Sequence, residues 1–374
     1  MKIVLAGAVS LFGHEEIMRQ ALLSGFEIKF YDAPFMKKYW HSDFPVVFAD
    51  AVDENDGVVV PLTEYWISWC IENQERCRIS RKALEASRSK SKLYSFLGKF
   101  RVPGLFASVE EARTYVHNGG SVVIKPEGLL SSYGVEIVDQ KNISMMEEFI
   151  RQTQSIRNKV VRIMNIPACP AIITEKIHGV EYSADCFVNA GNFFVVRVCR
   201  KKTVIINNKP CALVVQVVPA SKKICMCLEN WCNELFEKDD ISFAQFDFIQ
   251  DSSEKDFVPI DFASRIGGGM KELFSEFENV YANAFSHKEI ISPDSKNFPA
   301  MVNYLPVVNG YVMNDNYNLL EGKQFVFKNK GDFVNKNPGS VMSRVACVIL
   351  RHPEEFTDEE MESFLIGEEF IAEK

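Results

Sequence analysis

The chain has 374 residues, of which 47% are hydrophobic and 25% charged, with a formal net charge of −8. That length implies two or three domains rather than one core, and the composition is that of an ordinary globular protein. The acidic balance argues against nucleic acid or an anionic membrane as the main partner, and no apolar stretch approaches the ~20 residues of a membrane span.

In chain order, "KIVLAG" reads as a buried strand and "EEIMRQALLSG" as a helix closed by Gly25. Strands "EIKFYDA" and "DGVVVPL" follow, then helix "TEYWISWCIENQ" with Thr63 at its N-cap. This β-α-β alternation predicts a parallel sheet with helices on its faces. Asp32 stands where a dinucleotide fold carries its ribose-binding acid, but the first turn, "GAVSLFG", is not GxGxxG, and a turn aspartate explains it as well. His14 could line a substrate pocket, although a place at a helix N-terminus is a sufficient explanation.

One basic helix is expected over "SRKALEASRSKSKLYSFLGKF", ending before "RVPG". "SVEEARTYVHNGG" opens with Ser108 and Glu111 in a capping-box spacing. Strand "SVVIKP", loop "EGLLSSYG", strand "VEIVD", helix "SMMEEFIRQTQS" and strand "AIITEKI" come next. From Tyr182 to Pro219 the pattern is strand-like, and a helix over "KKICMCLENWCNELFEK" precedes the strands "SFAQFDFIQ" and "KDFVPIDFA". The Asn- and Pro-rich tail holds one more strand, "VMSRVACVIL". Ten cysteines without framework spacing point to reduced thiols in a cytoplasmic protein.

Three stretches carry chemistry. Lys125 ends a buried strand, where an ammonium must snorkel or meet an anion, and the Gly/Ser loop after it can close over phosphates. A plain hairpin with a surface lysine has the same pattern. "IITEKIHGVEYSAD" is hinge-like; its backbone can bind an adenine and Glu181 can accept from ribose hydroxyls, although a strand-turn-strand with surface glutamates is equally compatible. Asp247 and Asp261 lie on two strands joined by the turn-rich "DSSEKD", so a hairpin sets them side by side. Adjacent carboxylates repel unless a cation lies between them, and hard oxygens facing a polyphosphate select Mg2+, with Mn2+ as the alternative. Arg265 suits an anionic oxygen, and the glycines after it allow close backbone approach.

In this order the parts resemble the ATP-grasp superfamily, specifically its carboxylate–amine ligases, over roughly residues 1–290. Lys90 matches the first family lysine, with Ser89 where aspartate is usual and Lys92 as the alternative register. Lys125, Pro126, Gly128, Ser131, Ser132, Gly134 and Val135 match the second lysine and its loop. Glu175, Lys176, Ile177, Gly179 and Glu181 match the hinge, and Asp247, Asp261, Arg265, Gly267 and Gly268 match the metal-site pattern.

The resemblance implies an α/β protein with an N-terminal parallel α/β (pre-ATP-grasp) domain over 1–88. Two α+β ATP-grasp subdomains would follow over 89–174 and 175–374, with ATP bound between them. Lys90 and Lys125 would neutralise the phosphates under the 127–134 loop, with Ser131, Ser132 and Gly134. Glu175, Lys176 and Ile177 would hold adenine, Glu181 the ribose, and Asp247 and Asp261 the metal, with Arg265 and Lys125 as catalytic groups. The implied reaction activates a small carboxylic acid, first among the candidates an amino acid, as an acyl phosphate that an amine attacks. Homodimers are common among similar proteins. Ala263 departs from the pattern, standing where a metal-ligating Asn is usual, and so motivates a second reading: an ATP-binding protein with an impaired second metal site. "VCRKK" (Arg200, Lys201, Lys202) could face phosphates or form a solvated turn, and Arg344 could reach an acceptor pocket.

Overall fold

A computed structural model describes residues 2–11, 15–128, 134–164, 170–206, 209–267, 272, 298–315, 317, 322–335, 344–350 and 357–372. The first strands, β1 (Lys2–Ala6), β2 (Glu27–Asp32), β3 (Val47–Phe48) and β4 (Val58–Pro61), form a parallel sheet in the order β3-β2-β1-β4. Helices α1 (Ala8–Leu11), α2 (Glu15–Leu22) and α3 (Glu64–Glu72) connect and cover it. The sheet is parallel because each crossover is long enough to carry the chain back to the same edge direction. Asp32 ends β2 as a turn residue, its Oδ1 accepting the Ala33 N–H at 2.8 Å.

The single basic helix expected after residue 80 is two helices, α4 (Arg81–Arg88) and α5 (Lys90–Phe96). Ser89 breaks it: its backbone is extended at φ −148°, ψ 113°, and its hydroxyl accepts the Lys92 N–H, so it caps a new helix. Two expected caps also differ. The Thr63 hydroxyl makes no cap bond to α3. The Ser108 hydroxyl does accept the Glu111 N–H, but the Glu111 carboxylate reaches back to the Ala107 N–H, one residue early for a capping box.

A small antiparallel sheet of β5 (Val122–Pro126), β6 (Glu136–Val138) and β7 (Ala171–Glu175) follows, in the order β6-β5-β7. Helices α6 (Val109–His117) and α7 (Met146–Met164) flank it, and Ala112, Val116, Val122, Ile124, Met146 and Phe149 form its core.

The large sheet is built from β8 (Gly179–Asn189), β9 (Asn192–Ile206), β10 (Lys209–Val218), β11 (Ile241–Asp251) and β12 (Phe257–Ala263), with α8 (Lys222–Leu235) between β10 and β11. Its order is β12-β11-β8-β9-β10, continued by β13 (Ala300–Pro306) and then by later strands of the tail. Of these, β14 (Gly310–Val312) and β16 (Phe333–Val334) make a separate small sheet with β19 (Ile371–Ala372), while β15 (Lys323–Val326), β17 (Ala346–Leu350) and β18 (Leu365–Ile366) extend the large one. The period-2 alternation of a strand explains what this sheet does. Ala184, Ala244, Phe246, Phe248 and Phe262 pack with Trp231 of α8 and with Ala83 and Leu84 of α4. Their odd-numbered neighbours face the other way, into a cavity.

Candidate active site

A cavity of about 460 Å3 lies between the small and large sheets. That volume suits a drug- or nucleotide-sized ligand. Lys90, Lys125, Glu175, Lys176, Ile177, Glu181, Asp247, Asp261 and Arg265 all line it. Ser131 and Ser132 lie outside the described residues, as do Gly268 and His14. Gly134 has φ +68°, a left-handed conformation that suits glycine, and its carbonyl accepts from Thr153 Oγ1 at 2.6 Å.

The two acids stand opposite each other. Asp247 on β11 is the cross-strand partner of Asp261 on β12, at a register shift between Asp247 and Phe248. Lys90, at the first turn of α5, places Nζ 3.1 Å from Asp261 Oδ1. The break at Ser89 aims it there: the Ser89 and Ser91 hydroxyls donate to Glu127 Oε1, and the Lys90 N–H donates to the Glu127 carbonyl at 3.3 Å. Glu127 thus supplies a carboxylate beside residue 89, where a second one from an aspartate would be repelled.

Lys125 Nζ donates to Tyr94 Oη at 2.7 Å and to the Ile260 carbonyl at 3.3 Å. Burial, and then the nearby charge of Lys90, push its pKa down to about 7, only partly opposed by Asp261 and Glu127. Burial pushes the Tyr94 phenol up, so it stays protonated and donates to the Ile260 carbonyl at 2.8 Å. An anion placed beside the two ammonium groups would relieve their repulsion.

The hinge is held from behind. Arg101 grips the Glu175 carboxylate with two N–H groups, at 3.0 and 3.1 Å. The Glu175 and Lys176 N–H groups donate to the Gly104 and Ser121 carbonyls. These two donors therefore point away from a ligand, and the hinge offers a ligand its remaining backbone and the Ile177 side chain.

Sequence reading left Lys201 open between a phosphate contact and a solvated turn, whereas it lies inside β9, and it missed Asp185 and Arg197. Lys201 bridges Glu181 and Asp247, at 2.7 and 2.8 Å. Asp185 and Arg197 form a fully buried pair at 2.6 Å, and Asp185 Oδ1 also accepts the Gly267 N–H at 2.7 Å. A Cβ on Gly267 would meet Arg197 Nη2 at 2.7 Å, so glycine is needed there for close approach. A period-2 signal was available: Glu181, Ser183 and Asp185 share one face of β8, and Arg197, Cys199 and Lys201 one face of β9. Arg265 Nε donates to Glu64 Oε1 at 2.9 Å, reaching a residue of α3 in the first sheet's layer. Arg344 lines the cavity, held by Glu272 at 3.0 Å and Asn303 at 3.2 Å.

No family model and no curated protein matches the sequence. Solved structures do match over nearly the whole chain. An L-amino acid ligase from Bacillus licheniformis superposes with a TM-score of 0.66 at 16% identity, covering 97% of this chain and 95% of that one. Carboxyaminoimidazole ribonucleotide synthase from Aspergillus clavatus, complexed with ATP, gives 0.60 at 12% identity, covering 97% and 96%. An ATP-grasp superfamily protein from Archaeoglobus fulgidus gives 0.53 at 13% identity, covering 94% and 100%.

The chain has the ATP-grasp fold. Within this fold the cavity falls between two sheets, with Lys125 of β5 and Lys90 of α5 facing two aspartates of the large sheet. Among the described residues no cluster of three or more His, Cys, Asp or Glu could by itself cage a metal. Mg2+ is commonly bound by one or two carboxylates together with water and substrate phosphates. Asp247 and Asp261 present such hard oxygens. Ala263, buried on β12, offers no ligand; its cross-strand partner Gln245 lines the cavity and carries a side-chain oxygen.

Proposed function

We propose that the protein is an ATP-dependent ligase joining a small carboxylic acid, first among the candidates an amino acid, to an amine. The observation that carries this reading is the meeting of Lys90, Lys125, Asp247 and Asp261 in one cavity. Phosphoryl transfer asks for positioning and charge neutralisation more than for a covalent nucleophile, and this donor set supplies both. Lys90 and Lys125 bind the phosphates, the 175–178 hinge the adenine and Glu181 the ribose. Asp247 and Asp261 would hold Mg2+, which would supply charge neutralisation for the phosphates.

A carboxylate oxygen attacks the γ-phosphorus, the bond to the ADP oxygen breaks, and an acyl phosphate forms. The amine nitrogen then bonds to the acyl carbon, the C–O bond to phosphate breaks, and the nitrogen loses a proton. The products are an amide, ADP and phosphate. Arg265 and Arg344 suit the anionic acyl and carboxylate groups, and the named activities of the matched ligases support the choice of reaction class. On this reading residues 1–88, 89–174 and 175–374 are the three functional units, and the protein works in the cytoplasm. A homodimer is part of the same reading.

Ala263 favours a second reading, ATP binding without turnover. Phosphate release from Mg·ATP across a panel of amino-acid pairs, with Asp261→Ala as control, separates the two. Release that needs both substrates and is lost in the control supports the ligase. Binding of Mg·ATP without release for any pair, unchanged after Ala263→Asn, goes against the ligase.

A further inference from the structure

Lys201 extends from β9 into the cavity, and its ammonium touches two carboxylates on two other strands. Nζ lies 2.7 Å from Glu181 Oε1 and 2.8 Å from Asp247 Oδ1. The register makes this unavoidable. Lys201 is the direct partner of Glu181 on β8, and Asp247 on β11 stands opposite Ser183, two residues along the same face. Thr203 Oγ1 adds a longer bond, 3.3 Å, to the second oxygen of Glu181. All three charged side chains are largely withdrawn from solvent, at 15%, 24% and 25% exposure for Lys201, Glu181 and Asp247. Contacts this short between ionised groups are the strong kind of hydrogen bond.

We propose that Lys201 is a built-in cation that keeps a free divalent ion off Asp247 and admits one only when a polyphosphate arrives. The inference rests on the reading of Asp247 as a metal ligand. Three carboxylates, Glu181, Asp247 and Asp261, meet two ammonium groups at contact distance, Lys201 and Lys90. A divalent ion binding alone must displace Lys201 from Asp247, and because the displaced ammonium stays tethered in the cavity, the three carboxylates, two ammonium groups and the ion together carry an excess positive charge in a partly desolvated place. A polyphosphate supplies the missing negative charge and a new partner for the displaced ammonium. Metal and nucleotide binding are then coupled, and the coupling acts equally in both directions.

The test is a titration of the nucleotide-free protein with Mn2+, followed by the electron paramagnetic resonance of the free ion. Wild type should bind Mn2+ weakly. Lys201→Met should bind it more tightly by about tenfold or more, within the usual range of coupling between two ligands. Adding Asp247→Asn to that variant should remove the gain, and Lys201→Arg should behave as wild type. Tight Mn2+ binding by wild type without nucleotide overturns the proposal whatever the variants do. So does an absence of gain in a Lys201→Met protein with a wild-type circular dichroism spectrum that still binds a non-hydrolysable ATP analogue with Mg2+. If wild type itself fails to bind that Mg2+–analogue pair, the nucleotide reading falls and takes the proposal with it.

Discussion

Lys125 shows how far a single residue reports on the site. Its pKa, pushed down to about 7, is set by burial and by Lys90, and its hydrogen bonds among the described residues go to a phenol and a backbone carbonyl. A polyphosphate beside it favours the charged form and raises that pKa. Between the two values the complex holds a proton that the free protein lacks, so binding takes up a proton and affinity falls as pH rises above about 7. Calorimetry at about pH 8 in two buffers of different ionisation enthalpy should register that uptake; no uptake, or release, contradicts the account. Lys125→Met should abolish the uptake and weaken nucleotide binding by about tenfold to a hundredfold, from ~1.5–3 kcal/mol for a hydrogen bond to a charged group. Lys125 was legible because a lysine closing an apolar strand has few uses. Lys201 was not, because a basic triplet after a strand also describes a turn, and its partners lie 20 and 46 residues away.

At the scale of elements, the hairpin of β11 and β12 was legible except for the register shift beside Asp247. Two apolar strands around a turn-rich connector can pair in few registers, and the one that buries Phe246, Phe248 and Phe262 also sets Asp247 opposite Asp261. The break between α4 and α5 was hidden because nothing nearby interrupts helix propensity; Glu127, 38 residues on in the chain, makes Ser89 worth more as a cap than as a helical residue. Ser89→Ala should therefore cost about 1 kcal/mol in chemical denaturation, the usual loss for an N-cap. Ser89→Asn should be milder than Ser89→Asp, since the aspartate faces Glu127; equal stability of the two would count against this account of the break. Gly179 is a second element-scale constraint. A Cβ there would lie 1.9 Å from the Gln250 carbonyl oxygen, so Gly179→Ala must push β8 from β11 just before Glu181. A loss of about 1–3 kcal/mol is expected, as for other overpacked sites, and a wild-type melting temperature would refute it.

Across the whole molecule, buried ionic contacts at two places hold the layers around the cavity. Glu64 of α3 meets Arg265 at 2.9 Å and Arg88 at 3.5 Å, tying the parallel sheet's layer to the cavity wall. Lys209 of β10 pairs with Glu136 of β6, joining the large sheet to the small one, and both are almost fully buried. Sequence reading could not find either, because pairs 201 and 73 residues apart leave no local pattern. The fold class was legible from alternation and motif order, and the matched structures share the fold. Removing one partner of such a pair strands the other charge, so Lys209→Met should cost about 3–5 kcal/mol. The exchange Glu136→Lys with Lys209→Glu should recover part of that loss in urea denaturation; no recovery would mean that packing, not charge, joins the sheets.

The proposed reaction activates a carboxylate in this cavity by phosphorylating it. An amino acid that supports phosphate release is labelled with 18O in its carboxylate, and the released phosphate is analysed by mass spectrometry. That reaction leaves one 18O in each phosphate, carried across when the acyl phosphate is broken by the amine. Phosphate free of label, formed alongside ADP, would contradict it.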